Sequence, residues 1–144
     1  MRWATPVFFV TLLALGACND VRDFRGTWQG ARVGDTAALR VGAGAAATLA
    51  IDEIDGRGIQ GRLAIDGLLD ETRVSSIPGA EADALANMTF AGNPFRVYLC
   101  FVAIGDGSGD ALVLIALYDD QRIEVRLLRS GASPLYAIFA LQGG

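Results

Sequence analysis

A chain of 144 residues with 12 basic side chains, 16 acidic ones and a net charge of −4 is long enough to bury the core of one domain. The charge balance sets it against nucleic-acid binding, which needs clustered Lys and Arg. The basic residues are all arginine and histidine is absent, which removes the commonest general base and neutral metal ligand and excludes Ser-His-Asp catalysis, Cys-His catalysis and His-ligated zinc.

The chain opens on Met1 and Arg2, followed by an apolar run from Val7 to Leu15. That run has signal-peptide length and falls short of the roughly 20 residues of a transmembrane helix. Small residues follow in Leu15-Gly16-Ala17-Cys18. This stretch resembles the lipobox of bacterial lipoproteins. The resemblance implies a signal helix over residues 1–17, a diacylglyceryl group on the Cys18 sulfur, cleavage before Cys18 and acylation of the new amino terminus. It also implies an anchor in the cell envelope. Asn19, with Asp20 only second after the cysteine, points to the outer membrane facing the periplasm, because Asp directly after the Cys is the inner-membrane signal in enterobacteria. With Cys18 lipidated, Cys100 has no disulfide partner. Its setting in Val97-Tyr98-Leu99-Cys100-Phe101-Val102 predicts a buried, inert thiol.

Residues 18–25 read as the lipidated cysteine and a short linker, and residues 26–144 as one all-β domain. Predicted strands are Thr27–Val33, Ala37–Val41, Ala46–Glu53, Gly58–Asp66, Leu69–Ser76, Ala82–Phe90, Phe95–Ile104, Ala111–Tyr118, Arg122–Arg129 and Leu135–Leu141. About 8–10 short strands with regular turn signals predict a small antiparallel meander barrel or a sandwich. Asp55-Gly56 is expected to form a type I′ hairpin turn, Asp119-Asp120 another hairpin, and Asp106–Asp110 a longer loop. Ile123, Val125 and Leu127 alternate with Arg122, Glu124 and Arg126, which predicts a strand with a wet outer face. Phe95–Ile104, Ala111–Tyr118 and Leu135–Leu141 are apolar on both faces and so require cover on both sides. Neighbouring elements of the barrel, a partner or the membrane could each supply it.

Gly26-Thr27-Trp28, at the head of the domain, resembles the Gly-x-Trp opening of the calycin group: lipocalins, fatty-acid-binding proteins and avidins. The resemblance implies a meander barrel whose base is closed by Trp28. It departs from the lipocalins in having no Arg in the final strand and no terminal helix. Met88, Phe90 and Phe101 join Trp28 as candidate barrel-closing or cavity residues, and small inward residues (Ala47, Gly61, Ala84, Ala86) could leave room for an apolar small molecule. Asp106-x-Ser108-x-Asp110 alternates oxygen ligands as calcium loops do but lacks the distal bidentate Glu, so no metal and no cofactor is expected. Acidic residues sit at predicted turns and wet faces, and neither a nucleophile elbow nor a phosphate-binding loop occurs. The expectation is a non-catalytic lipoprotein that serves as a protein-interaction or structural module, with a calycin-like carrier of an apolar ligand as the alternative.

Overall fold

The computed structural model describes residues 20–34, 41–78, 92–104, 109–129, 131 and 134–144. A 3-10 helix, Val21–Phe24, leads into eight strands: β1 (Gly26–Val33), β2 (Ala46–Ile54), β3 (Ile59–Ile65), β4 (Leu69–Ser76), β5 (Arg96–Ile104), β6 (Gly109–Tyr118), β7 (Arg122–Arg129) and β8 (Leu135–Gly143). Each strand pairs antiparallel with the next, and β8 returns to pair with β1, so the sheet closes as a meander barrel. The choice left open by the sequence, barrel or sandwich, falls to the barrel. Predicted strands Ala37–Val41 and Ala82–Phe90 fall wholly or mostly outside the described residues; Val41 is described, buried and not in a strand. The predicted signal helix also lies outside them.

Period-two alternation sets the inner face. Leu49 and Ile51 on β2, Leu63 and Ile65 on β3, Ile115 and Leu117 on β6, Val125 and Leu127 on β7, and Phe139 and Leu141 on β8 all point inward and are buried. Burying each such side chain contributes roughly 1.5–3 kcal/mol before chain entropy is counted. Small residues permit closure at two places. A Cβ on Gly30 would stand 1.8 Å from the Ala140 carbonyl oxygen, across the β1–β8 seam. One on Gly61 would stand 2.1 Å from the Ala50 oxygen on β2. Only glycine lets the strands approach this closely where the barrel wall bends.

The turns differ from expectation in two cases: Gly109 and Asp110, expected in a loop over Asp106–Asp110, belong to β6, and the β2–β3 turn takes another form. Asp55 and Gly56 do not form a two-residue type I′ turn, and neither has positive φ. The loop instead runs from Asp55 to Gly58. The Asp55 carboxylate accepts the N–H of Arg57 at 2.7 Å and of Gly58 at 2.9 Å, and the Asp55 N–H donates to Gly58 O at 3.0 Å. A side chain that organises its own turn in this way removes the need for left-handed backbone. Asp119-Asp120 does lie in a hairpin, which also takes in Gln121 at φ 58°. The Gln121 N–H donates to Tyr118 O at 3.2 Å.

The β4–β5 seam is the shortest. Its ladder pairs Ser75 with Phe101 and Ser76 with Cys100, and the Ile77 N–H donates to Leu99 O. Every other seam carries a longer ladder.

Gly30→Ala is expected to cost about 3 kcal/mol or more, because the clash is with backbone that cannot move without opening the β1–β8 ladder. Gln121→Gly should stabilise by about 0.5 kcal/mol, since relief of the left-handed conformation exceeds the entropy lost by glycine. Urea unfolding followed by tryptophan fluorescence measures both.

Candidate functional site

The interior is the first place to look for a ligand. Inward side chains in the middle of the barrel, among them Leu49, Leu63, Ile115, Val125, Phe139 and Leu141, are 0 % exposed. The small inward residue Ala47 is likewise buried. Eight strands enclose a space that side chains can fill or that can hold one small ligand, and here the described inward side chains pack into one buried cluster. Gly61 contributes closeness of strands and not space. Ala84 and Ala86 lie outside the described residues.

Trp28 closes one end of the barrel. It is 5 % exposed, its Nε1 donates to the Phe24 carbonyl at 2.9 Å, and its ring stacks on Phe24 at 5.2 Å between centroids, 16° from parallel. Phe95 packs against Phe24 from the other side at 5.7 Å. The 3-10 helix therefore lies across the barrel end as a plug, held by an aromatic stack and one hydrogen bond. Each such ring pair is worth roughly 0.5–1.5 kcal/mol beyond burial. At the same end the Tyr98 hydroxyl donates to Asp55 O at 2.6 Å, and the Arg96 guanidinium donates to Gly56 O while lying 5.9 Å from the Tyr98 ring centroid. A cleft of about 320 Å³ opens beside the plug, lined by Arg25, Glu53, Asp55, Arg57, Ser75 and Ser76 among others. The Asp55 carboxyl is held below its ordinary range, first by the N–H groups of Arg57 and Gly58 and then by the nearby guanidinium charges.

Phe101 is not a cavity residue. It points outward from β5 and is 53 % exposed, because it stands one residue from the inward Cys100 and a strand alternates its faces. Its cross-strand neighbours on the outer face are Ser75 on β4 and Leu112 on β6, and Leu112 in turn stands opposite Leu128 on β7, which faces Tyr136 on β8. The next outer row runs Leu99, Leu114, Arg126, Ile138 and Val33. Ile77 extends it beside Leu99. Val33 and Ile77 are 42 % and 41 % exposed. These rows make an apolar band across the outer wall of β5 to β8. The outer wall of β2 to β4 is charged instead, with Arg62 bridging Asp52 at 3.2 Å and Glu71 at 2.6 Å.

The outer face of β7 is a correction to the expected wet strand. Glu124 and Arg126 are each only 8 % exposed, and Arg126 Nε meets Glu124 Oε1 at 2.5 Å. Their neighbours explain this: Glu124 stands between Ala116 and Ala140, and Arg126 between Leu114 and Ile138. An outer cluster of Val97, Leu114, Ala116 and Tyr118 is buried beside them, and Arg122 lies over the Tyr118 ring at 4.0 Å. Charged groups so flanked are tolerated because each has the other as partner.

Other candidates are dispersed. Met88, Phe90, Asp106 and Ser108 lie outside the described residues, and Asp110 is exposed on β6 opposite Ala103. The acidic run at Asp52 is divided, with Asp52 turned to Arg62 and Asp55 engaged in its turn. Among the described residues no group of three or more acidic or thiol side chains is placed to hold a metal. Cys100 is fully buried in the interior, and burial pushes its thiol up from 9.0 to about 12. Comparison with family models, curated proteins and solved structures returns no match.

The folded chain keeps the Cys100 proton that an unfolded chain releases above about pH 9. The raised thiol therefore adds stability that is full below pH 9 and lost as pH rises toward 12, at up to about 1.4 kcal/mol per pH unit. Burial raises Tyr98 and Tyr118 in the same direction. Urea melts between pH 8 and 11 should show a falling stability whose slope is shallower in Cys100→Ala. A wild-type slope no steeper than that of the variant would contradict the assignment.

Proposed function

We propose that this chain is a membrane-anchored bacterial lipoprotein of the cell envelope, held by lipid on Cys18, whose non-catalytic barrel contacts another envelope protein. The observation that carries the reading is the pairing of a filled interior with an apolar outer band centred on Phe101, which is 53 % exposed. A carrier of an apolar small molecule needs room among the inward side chains, and those described are buried against one another. A contact protein needs an exposed apolar patch rimmed by polar residues. On the band Phe101, Ile77 and Val33 are exposed while Leu114 and Arg126 are buried, and Ser75 and Arg73 of β4 form its border. Placement at the outer membrane, facing the periplasm, rests on the Asn19-Asp20 pair after Cys18. The Gly26-Thr27-Trp28 opening and the eight-strand meander support a calycin-like architecture whose wall, not its lumen, serves recognition.

Expression of the full chain in a bacterial host with an alkyne fatty acid tests the anchor. Wild type should take the label and sediment with membranes, and Cys18→Ser should lose the label and become soluble; an unlabelled wild type would remove the lipoprotein reading. For the wall, a photo-crosslinking residue in place of Phe101 should give one discrete protein adduct in cells, and the same residue in place of Arg62 should give none. Phe101→Ser should abolish the interaction while changing stability by no more than about 0.5 kcal/mol, as for other exposed positions.

A further inference from the structure

The position at which the chain enters the barrel constrains how the anchored protein stands. Asp20 caps the 3-10 helix, accepting the Arg22 N–H at 3.0 Å, and Phe24 at the end of that helix is fully buried against Trp28. Two peptide steps separate Asp20 from Cys18, a reach of at most about 7 Å. The head-group layer on one side of a bilayer is about 5–7 Å deep. A plug fixed by buried aromatic contacts and joined to the lipid by so short a tether leaves the barrel little freedom to turn its closed end away.

Resting on the lipoprotein reading of Cys18, we infer that the plugged end of the barrel seats among zwitterionic phospholipid head groups, and that the turns at the opposite end face away from the membrane. Among the described residues, the surface chemistry of the plugged end matches that layer and not the acyl core. Its cleft of about 320 Å³ carries both signs of charge, from Arg25 and Arg57 and from Glu53 and Asp55. The Arg25 and Arg57 side chains both line this cleft, where they can meet head-group phosphates, and the Arg57 charge also acts on the Asp55 carboxyl. Glu53 lines the same cleft and is exposed, a counterpart for a head-group ammonium. Both guanidiniums lie on the side where the tether leaves: Arg25 directly follows the plug, and Arg57 tops the β2–β3 turn. The β3–β4 turn at Asp66–Leu68 marks the far end.

The mature chain from Cys18 is suited to the test, because β1 to β8 close on one another without the preceding residues. Its Cys18 can be coupled to a maleimide lipid in phosphatidylethanolamine-containing nanodiscs, and the buried Cys100 will not compete. With a nitroxide on a minority of head groups, the amide signals of Arg57 and Gly58 should lose roughly five-fold more intensity than those of Gly67 and Leu68, since the barrel ends are roughly 20 Å apart. Equal losses, or greater loss at Gly67 and Leu68, would overturn the orientation. The double variant Arg25→Gln/Arg57→Gln should lower the contrast about two-fold, and an unchanged contrast would overturn the head-group contact. Chemical coupling supplies the anchor, so the mass of Cys18 recovered from cells judges the lipoprotein reading separately: an unmodified Cys18 sinks that reading and leaves the nanodisc result standing.

Discussion

Closure of β1 on β8 is the constraint from which the rest of this structure follows. Six residue pairs, from Trp28 with Gly143 to Val33 with Ile138, turn a meander sheet into a barrel. The ladder forms only because Gly30 lets β1 lie against the Ala140 carbonyl. Once the ends of the sheet are joined, open strand edge is confined to the short β4–β5 seam, and one face of every strand is committed to a shared interior. The interior diameter is then set by strand number and tilt. For this composition of Leu, Ile and Val it is filled by side chains, which moves any recognition to the wall and the ends.

The wall divides into two halves of different chemistry. Charges on β2 to β4 pair across neighbouring strands, as Arg62 does with Asp52 and Glu71, in the exposed arrangement that adds little to stability and keeps that side soluble. On β5 to β8 aliphatic side chains face outward in continuous rows, and the ion pair between Glu124 and Arg126 is buried among them at 2.5 Å. Removing one partner there would strand the other charge in an apolar setting. The same closure that packs the interior therefore leaves a second, smaller apolar cluster on the outside around Val97, Leu114, Ala116 and Tyr118.

The two ends differ as well. One is stoppered by the 3-10 helix, whose Phe24 ring sits between Trp28 and Phe95, and is rimmed by Arg25, Arg57, Glu53 and Asp55. On the lipoprotein reading proposed above, the plug belongs to the segment that follows the anchor, so anchoring and barrel closure would share the same few residues. Partner contact and membrane contact would then fall on different surfaces, the apolar wall and the polar foot, and could operate together.

Much of this was legible in the residues. Leu69–Ser76 and Arg122–Arg129 have the same limits in sequence and structure, because turn residues and period-two patterning bracket them on both sides. The packing of Cys100 was legible from the apolar run around it. What a linear pattern could not show was the company each outward residue keeps. Glu124 and Arg126 alternate with inward aliphatics as on any solvated strand, and their burial arises from Ala116, Leu114, Ile138 and Ala140 on strands distant in sequence. Phe101 looked like interior material because an apolar run on both faces does not mark which face is in; the register against Val113 and Leu112 decides it. Composition and alternation thus determined an all-β chain of short strands with a core of aliphatic residues, since those depend on local geometry. Closure, the filled lumen and the division of the wall came only with the tertiary structure, because they depend on which strands meet.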